Sequence, residues 1–199
     1  MYTAEELIDI LDIRLSKKRC QHSLNVAEEA KKLAEHYGFS DPEKAYYTGL
    51  LHDICKEIPK EEQLEMVSAS KMDVTDVELV TSPLYHAIAG AWYAEHVLNV
   101  HDSDILSAVR YHTVGRAGMS RLEEIIYIAD LISADRSYKD VGKMRKIAYQ
   151  SLEKAMLEAL RFSVTDVVGK GSMLPKHTIE AYNYYISAKK KEKERTDIR

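Results

Sequence analysis

Residues 49–59, GLLHDICKEIP, place a histidine and an aspartate where an apolar helix would otherwise continue. His52 and Asp53 follow the run TGLL and precede Ile54. A carboxylate buried at such a point is strongly destabilising unless it is paired with a cation or with hydrogen-bond donors. Lys56 and nearby backbone amides are close enough in sequence to satisfy Asp53. This pair alone therefore leaves two interpretations open, a structural aspartate and a metal ligand.

Polar side chains interrupt two other helical stretches. Asp130 lies in residues 125–132, IIYIADLI, which hold no other charge. Acids in such an apolar stretch usually coordinate an ion or accept a hydrogen bond. His22 lies three residues after Arg19, so both side chains face the same side of a helix.

Two further histidines lie at the ends of helical segments: His86 begins HAIAGAWYAEH, and His112 ends the next helix in RYHT. A single histidine is more often a core or surface residue than a ligand, but the set is more specific than any member. We predict that His86 and His112 complete a binuclear or phosphate-binding site. The four residues predicted to hold one metal ion are His22, His52, Asp53 and Asp130. The histidines without a comparable context are His36, His96, His101 and His177.

A second His-Asp pair in the chain serves as a control. His101 and Asp102 lie in the polar segment NVHDSD, directly before a predicted helix. Asp102 is a favourable residue for capping that helix. The second pair is therefore assigned a structural role and no chemistry.

Two imidazoles and two carboxylates form a borderline-to-hard donor set. Such a set suits divalent iron or manganese, and zinc, cobalt and nickel are also possible, as one or two ions. It differs from the sulfur-rich tetrahedral set of structural zinc. A metal held with open coordination positions would lower the pKa of a bound water and orient it for attack.

Composition excludes several classes of partner. The chain has 199 residues and a net charge of −4, so it lacks the broad basic field of proteins that bind nucleic acid. No apolar run approaches the roughly 20 residues of a membrane span. The N-terminus, MYTAEELIDILDIRL, lacks the basic start of a signal peptide. With Cys20 and Cys55 as the only cysteines, we expect free thiols and a cytoplasmic protein that binds neither nucleic acid nor membrane.

Helix signals run along the chain and strand patterns are scarce, which predicts an all-α, single-domain helical bundle. Caps and apolar spacing of three and four predict the helices, at roughly residues 4–15, 16–37, 42–53, a short helix from Pro59, 84–98, 105–112, 120–132, 140–162 and from Lys176 onward. We expect an N-terminal helix (1–15) packed on the domain, the domain itself (16–188) and a charged C-terminal tail (189–199).

With those residues identified, the chain resembles the HD superfamily of metal-dependent phosphohydrolases. The resemblance extends to the YqeK-type symmetrical bis(5′-nucleosyl)-tetraphosphatases over about residues 14–186. The segments that carry it are KRCQHSLNVAEEAKKLAEHYG, GLLHDICKEIP, YHAIAGAWYAEH, AVRYHTVGR, MSRLEEIIYIADLIS and HTIEAYNYY. The resemblance implies an all-helical HD domain, an iron-type metal site and cleavage of diadenosine tetraphosphate, a small-molecule dinucleoside polyphosphate, into two molecules of ADP.

The resemblance also implies roles for individual residues. His22, His52, Asp53 and Asp130 match the metal-ligand positions, and Asp53, His86 and His112 are the catalytic candidates. His86 and His112 match positions that contact phosphate, a second metal, or both. Sequence position, and not the resemblance, suggests further substrate-binding candidates. These are Arg19, Lys56, Arg116 and Arg136, which lie near the predicted ligands and could form a phosphate clamp, and Lys170 and Ser172 in the glycine-containing turn GKGS. Tyrosines that can stack on adenine are Tyr111, Tyr182, Tyr184 and Tyr185, although such residues are more often part of a core.

Three alternatives remain open from the sequence. The same metal site can serve a nucleotidase or phosphodiesterase acting on another nucleotide. The domain can be a non-catalytic nucleotide-sensing module, or the histidines can be satisfied in a helical core without a metal. A homodimer is compatible with each of these, and the sequence does not fix the base preference.

Overall fold

The computed structural model describes residues 2–197, with side chains through residue 188. Within that range the chain forms eleven α-helices, one short 3-10 turn and no strand. The expected all-α, single-domain fold is therefore confirmed. The elements are α1 (Ala4–Arg14), α2 (Lys17–His36), α3 (Pro42–Leu51), α4 (Lys60–Ala69), α5 (Asp76–Val80), the 3-10 turn (Ser82–Leu84), α6 (Tyr85–His96), α7 (Ser103–Tyr111), α8 (Arg121–Ile132), α9 (Val141–Ala148), α10 (Leu152–Gly169) and α11 (Lys176–Asp197).

Local capping explains where several helices begin. Ser16 accepts a hydrogen bond from the backbone N–H of Arg19 at 3.3 Å, and Ser120 forms a capping box with Glu123. Each cap satisfies one of the N–H groups that a helix start leaves without a partner. Asp102 accepts from two backbone N–H groups at the start of α7, so its predicted structural role is confirmed.

The structure corrects the predicted end of the third helix. α3 ends at Leu51, and His52 and Asp53 lie in the turns that follow it instead of within the helix. The backbone there is held by tighter bonds to the residue three earlier, from Ile54 N to Leu51 O at 3.1 Å and from Lys56 N to Asp53 O at 2.8 Å. His112 likewise follows the last residue of α7.

The predicted helix over residues 140–162 is wrong, because the structure contains two helices there. α9 ends at Ala148, and α10 begins at Leu152 with Ser151 as its cap. Met144, Ala148 and Leu152 are all buried, so the helical spacing of apolar residues continues from α9 into α10 and does not reveal the break between them. Neither Pro nor Gly marks the junction. The sequence does not predict α5 at all, because that segment lacks an apolar period.

One large hydrophobic core holds the domain together, and a small second cluster forms around Val67, Tyr85 and Ile88. α2 packs against α3 and α8, α6 against α7, and α10 against α8 and α11. α1 contributes Leu7 and Leu11 to this core and contacts α2 and α3. α11 continues as a helix through most of the charged tail 189–199; the side chains of that tail, and residues 198–199 entirely, lie outside the described residues.

Close approach of α2 and α3 requires a glycine. A Cβ atom at Gly49 would lie 2.5 Å from the Cα of Ala27. The contact brings the end of α3, and the His-Asp pair that follows it, against the middle of α2. Across the described residues, no helix is both long and apolar enough to pass through a bilayer.

Candidate metal centre

Three of the six predicted site residues are histidines anchored in the same way. The Nδ1 atoms of His52, His86 and His112 lie 2.6, 2.9 and 2.7 Å from the backbone oxygen three residues earlier. A carbonyl oxygen can only accept, so Nδ1 carries the proton in each ring. In the neutral imidazole the lone pair then lies on Nε2, which is the atom that faces the cluster.

His22, His52 and Asp130 form the first group of possible ligands. One ligand atom from each lies within 4.8 Å of the others. His22 Nε2 is 3.0 Å from Asp130 Oδ1, and His52 Nε2 is 3.9 Å from the same oxygen. These side chains come from α2, from the turn after α3 and from α8.

Asp53, His86 and His112 form the second group, again with ligand atoms within 4.8 Å of one another. Asp53 Oδ1 lies 3.2 Å from His86 Nε2 and 3.6 Å from His112 Nε2. Its other oxygen, Oδ2, lies 3.5 Å from His52 Nε2. Asp53 therefore presents one oxygen to each group, which is the arrangement of a bridging carboxylate.

Two atoms of the cluster indicate that a cation fits here. His52 Nε2 and Asp53 Oδ1 are buried and have no hydrogen-bond partner among the described residues. An imidazole nitrogen and a carboxylate oxygen are both atom types that bind divalent metals. A neutral His86 also directs its lone pair at Asp53 Oδ1, and two acceptors face each other favourably only with a proton or a metal ion between them. The donor set thus fits a divalent metal.

Burial and neighbouring polar groups together set the protonation states of the cluster. Desolvation lowers the pKa of His52 to about 4 and that of His86 to about 4. Burial opposes ionisation of Asp130, but the hydrogen bond from His22 and the charges of His52 and Arg136 outweigh it and lower its pKa. Neutral imidazoles and ionised carboxylates are the forms that bind metals.

Three of the predicted phosphate-binding cations contact this cluster. Arg19 Nη1 donates to Asp53 Oδ2 at 2.8 Å, and Arg136 donates to the side chain and the backbone oxygen of Asp130. Lys56 Nζ lies 3.0 Å from His86 Nε2. Burial lowers the pKa of Lys56.

Of the other three predicted substrate contacts, two are paired with carboxylates elsewhere and one is exposed. Arg116 forms a two-pronged ion pair with Glu123 at 2.6 and 2.8 Å and lies over the ring of Tyr111. Lys170 pairs with Asp166 at 2.6 Å on the exposed end of α10, and Ser172 is exposed. Among the described residues none of the three has a hydrogen bond or ion pair to the cluster.

The tyrosines proposed to stack on adenine also have other surroundings. Tyr111 packs edge-on against His177, and Tyr185 donates its hydroxyl to Glu124 at 2.6 Å. Tyr184 is exposed, and Tyr182 packs on the hydrophobic core.

A cleft of about 520 Å³ opens beside the first group. Sequence reasoning missed Asp135 on its wall, which lies five residues after Asp130 in the turn that ends α8. Asp135 Oδ2 is 2.8 Å from His22 Nδ1. The only sequence signal was a second acid just after the apolar run. The cleft is lined by Ser16, Lys18, Arg19, His22, Glu57, Asp135, Arg136, Ser137 and Tyr138.

An all-helical domain with His, His-Asp and Asp converging on one centre defines an HD-type protein. A family model described as HD domain matches residues 19–135, and the chain belongs to this family. A solved structure from Clostridium acetobutylicum, described as a predicted HD superfamily hydrolase involved in NAD metabolism, superposes with a TM-score of 0.90 at 40% identity, covering 94% of this chain and 99% of that one.

Curated relatives narrow the group within the family. A Bacillus subtilis (strain 168) protein named bis(5′-nucleosyl)-tetraphosphatase, symmetrical, is 33% identical over 183 residues, 92% of this chain and 97% of the relative. A Staphylococcus aureus (strain NCTC 8325 / PS 47) protein of the same name is 35% identical over 174 residues, 86% and 89% of the two chains. Within the HD domain family, the chain thus belongs with the symmetrical bis(5′-nucleosyl)-tetraphosphatases.

Proposed function

We propose that this protein is a metal-dependent hydrolase that cleaves diadenosine tetraphosphate at its centre and releases two molecules of ADP. The observation that carries the proposal is Asp53, whose two oxygens face two groups of buried imidazoles beside an open cleft. The names and the long coverage of the curated relatives support the substrate.

The metal would be held by His22, His52, Asp53 and Asp130, and a second ion by Asp53, His86 and His112. The nitrogen and oxygen donors favour iron or manganese over a thiol-binding metal. A divalent cation supplies Lewis acidity there, which polarises a phosphoryl oxygen and makes water a better nucleophile at neutral pH.

The chain's own cations would hold the polyphosphate. Arg19 and Arg136 line the cleft. Each guanidinium donates only some of its N–H groups to an aspartate of the cluster, so its remaining N–H groups are free to bind phosphate oxygens. Lys56 lies on the other side of Asp53, beside His86. Positive charge on both sides of the centre favours the charge that develops on the phosphoryl oxygens during transfer.

Asp53, His86 and His112 would orient the reacting groups. Asp53 Oδ1 is a buried acceptor that can hold the proton of an attacking water. The Nε2 atoms of His86 and His112 lie 3.3 Å apart and face the same space, where they can position an equatorial oxygen through a second ion, or directly when Nε2 carries a proton. A central cut requires one ADP half to fill the cleft while the next phosphorus reaches Asp53.

We propose that the partners are the dinucleotide substrate and its ADP product, in the cytoplasm, without nucleic acid or membrane. Two buried free thiols, Cys20 and Cys55, fit a reducing compartment. The proposed function is compatible with a homodimer of this chain.

The test is product analysis with anaerobically purified protein of known metal content. We expect two ADP per diadenosine tetraphosphate, and no turnover by Asp53→Asn. His101→Asn, in the second and exposed His-Asp pair, is the matched control and should keep full activity. Products of AMP and ATP, or turnover only of a nucleoside monophosphate or a cyclic nucleotide, would overturn the proposal and favour the alternative HD-type hydrolases. Metal binding without hydrolysis of any of these nucleotides would favour a sensing module.

A further inference from the structure

The four histidines of the centre are not anchored alike. His52 and His112 follow the last turns of α3 and α7, and each bonds to a carbonyl that the end of the helix leaves without an amide partner. His22 lies inside α2, where the carbonyls of the preceding turn already accept backbone amides. Its Nδ1 atom therefore needs a partner from another part of the chain.

Asp135 supplies that partner and is itself held in place. Its Oδ1 atom accepts from Ser133 Oγ at 2.9 Å and from Asn25 Nδ2 at 3.1 Å, while Oδ2 faces His22 Nδ1 at 2.8 Å. Asn25 lies on α2, three residues after His22, on the same face. One oxygen thus fixes the carboxylate and the other is free for the imidazole.

The turn that carries Asp135 is clamped from α9. Arg145 donates from Nε to Ile132 O at 2.9 Å and from Nη2 to Ser133 O at 2.7 Å. These carbonyls end α8 and have no helical partner. The same short stretch presents Asp130 to the other ring nitrogen of His22, at 3.0 Å. The C-terminal end of α8 and the turn after it therefore place one carboxylate beside each ring nitrogen of His22.

We propose that Asp135 is a positioning residue for the metal centre. It holds the proton of His22 on Nδ1, fixes the plane of the ring and keeps Nε2 directed at the site shared with His52 and Asp130. The negative charge of Asp135 also makes His22 a stronger metal ligand. The other three imidazoles donate from Nδ1 to uncharged backbone carbonyls instead. The inference rests on the metal centre of the proposed function and does not depend on which nucleotide is cleaved.

The test is metal affinity, measured without substrate. The metal-free protein is titrated with Fe²⁺ under anaerobic conditions, and separately with Co²⁺, against a competing chromophoric chelator. Partners of a ligating histidine typically contribute about 10–100-fold in affinity. Asp135→Ala should lose affinity in that range and change the visible Co²⁺ spectrum. Asp135→Asn, whose amide oxygen can still accept from Nδ1, should lose less.

Asp140→Ala is the matched control. Asp140 is an exposed acid in the same connection, at the start of α9, and makes no capping hydrogen bond from its side chain. Its variant should bind both metals like the parent protein. Far-UV circular dichroism of the metal-free variants checks that they fold, and Asp135→Asn carries the test if Asp135→Ala does not.

An Asp135→Ala protein that binds metal as tightly as the parent would overturn the inference. If the KM of that variant were also raised, Asp135 would instead be a residue of the cleft wall that contacts substrate. A parent protein that binds metal but leaves diadenosine tetraphosphate intact would sink the proposed function alone.

Discussion

Hydrogen-bonding capacity decides what individual residues of the centre can do. An imidazole whose Nδ1 proton is bound to a carbonyl can offer only a lone pair at Nε2, and the cluster directs three such lone pairs toward carboxylates. Lone pairs and anions repel each other unless a cation joins them. Hydrogen-bond partners also separate the five basic candidates for phosphate binding. Arg19, Lys56 and Arg136 contact this cluster, whereas Arg116 and Lys170 pair with other carboxylates.

At this scale we predict different consequences for two arginines. Arg19→Met should lower kcat/KM for the dinucleotide by about tenfold or more, because a charge-assisted hydrogen bond to phosphate is lost. Arg116→Met should leave KM nearly unchanged. Its partner Glu123 has a fully buried side chain, so the folded state should lose about 1–3 kcal/mol from a carboxylate left with fewer partners.

Steady-state kinetics and urea unfolding of both variants check this prediction, with Lys170→Met as the control. Lys170 forms an exposed pair on α10 and should change neither quantity measurably. If Arg116→Met raised KM as strongly as Arg19→Met while its stability stayed intact, the phosphate contact predicted from the sequence would be correct.

Helix starts were predictable because their signals are local. The side chains of Ser16, Asp41 and Ser120 cap helices by accepting a hydrogen bond from the backbone N–H three residues later. Residue type and spacing reveal such caps. The end of α3 and the break at residues 149–151 depend on tertiary packing and leave no local mark. Asp135 was missed for a related reason, since an acid in a polar turn is ordinary until the fold brings it to His22.

The same limit applied to His177. Its sequence context was unremarkable, but the side chain is buried with Nε2 3.6 Å from an oxygen of Asp73 and 3.8 Å from one of Glu78. Glu78 in turn pairs with buried Arg110 at 2.8 Å. This second charged cluster ties α5 to α7 and to the start of α11, and only the fold reveals it.

At the scale of helices we predict a large effect of one methyl group. Gly49→Ala places a Cβ atom 2.5 Å from the backbone of Ala27, which has no flexible end to move aside. α3 must shift away from α2, at a cost of about 1–3 kcal/mol in the free energy of unfolding. Gly49 O also anchors His52, so metal affinity should fall in the same variant.

Gly142→Ala is the control for this prediction. Gly142 lies in α9, and an alanine methyl at this position would meet no neighbouring atom within 4 Å. Alanine there should be neutral or stabilise by up to about 1 kcal/mol through helix propensity. Urea unfolding and metal titration of the two variants provide the comparison. A Gly49→Ala protein as stable as the parent would show that the two helices tolerate separation.

The centre is a property of the whole molecule. Its residues span positions 22 to 130 and come from α2, α6, α8 and the turns after α3 and α7. The sequence marked these residues by type and context, and their grouping into one centre was a prediction from those contexts. Their actual convergence follows from how the helices pack. A metal that needs all of these elements binds the folded chain only and must therefore stabilise it.

The last prediction couples that stabilisation to pH. At a metal concentration about 100 times Kd, linkage adds about 2.7 kcal/mol, which for a chain of this size raises Tm by about 5–10 °C. The folded-state pKa values of His52 and His86, about 4, lie below the unfolded value of about 6.5. Their contribution to stability is full above pH 6.5 and is lost as the pH falls toward 4.

Each of these two histidines then contributes a slope of up to about 1.4 kcal/mol per pH unit in the metal-free protein. His22 works in the opposite direction. Burial opposes its protonation, but Asp130 outweighs burial and raises the pKa of His22, so its contribution is present at low pH and lost as the pH rises. Because the pKa values of His52 and His86 are lowered and only that of His22 is raised, we expect a net loss of stability on acidification.

Thermal unfolding at pH 7.5, 6.5 and 5.5, with metal and with chelator, tests both parts. We expect the metal-free Tm to fall over this range and the gain from metal to shrink, because protons compete for the same Nε2 atoms. His52→Gln should flatten the slope of the metal-free protein, whereas His101→Gln, at an exposed position, should preserve it. A metal-free protein whose Tm is constant between pH 7.5 and 5.5 would mean that the folded and unfolded chains take up the same number of protons over this range, and burial would then not lower the pKa values of His52 and His86.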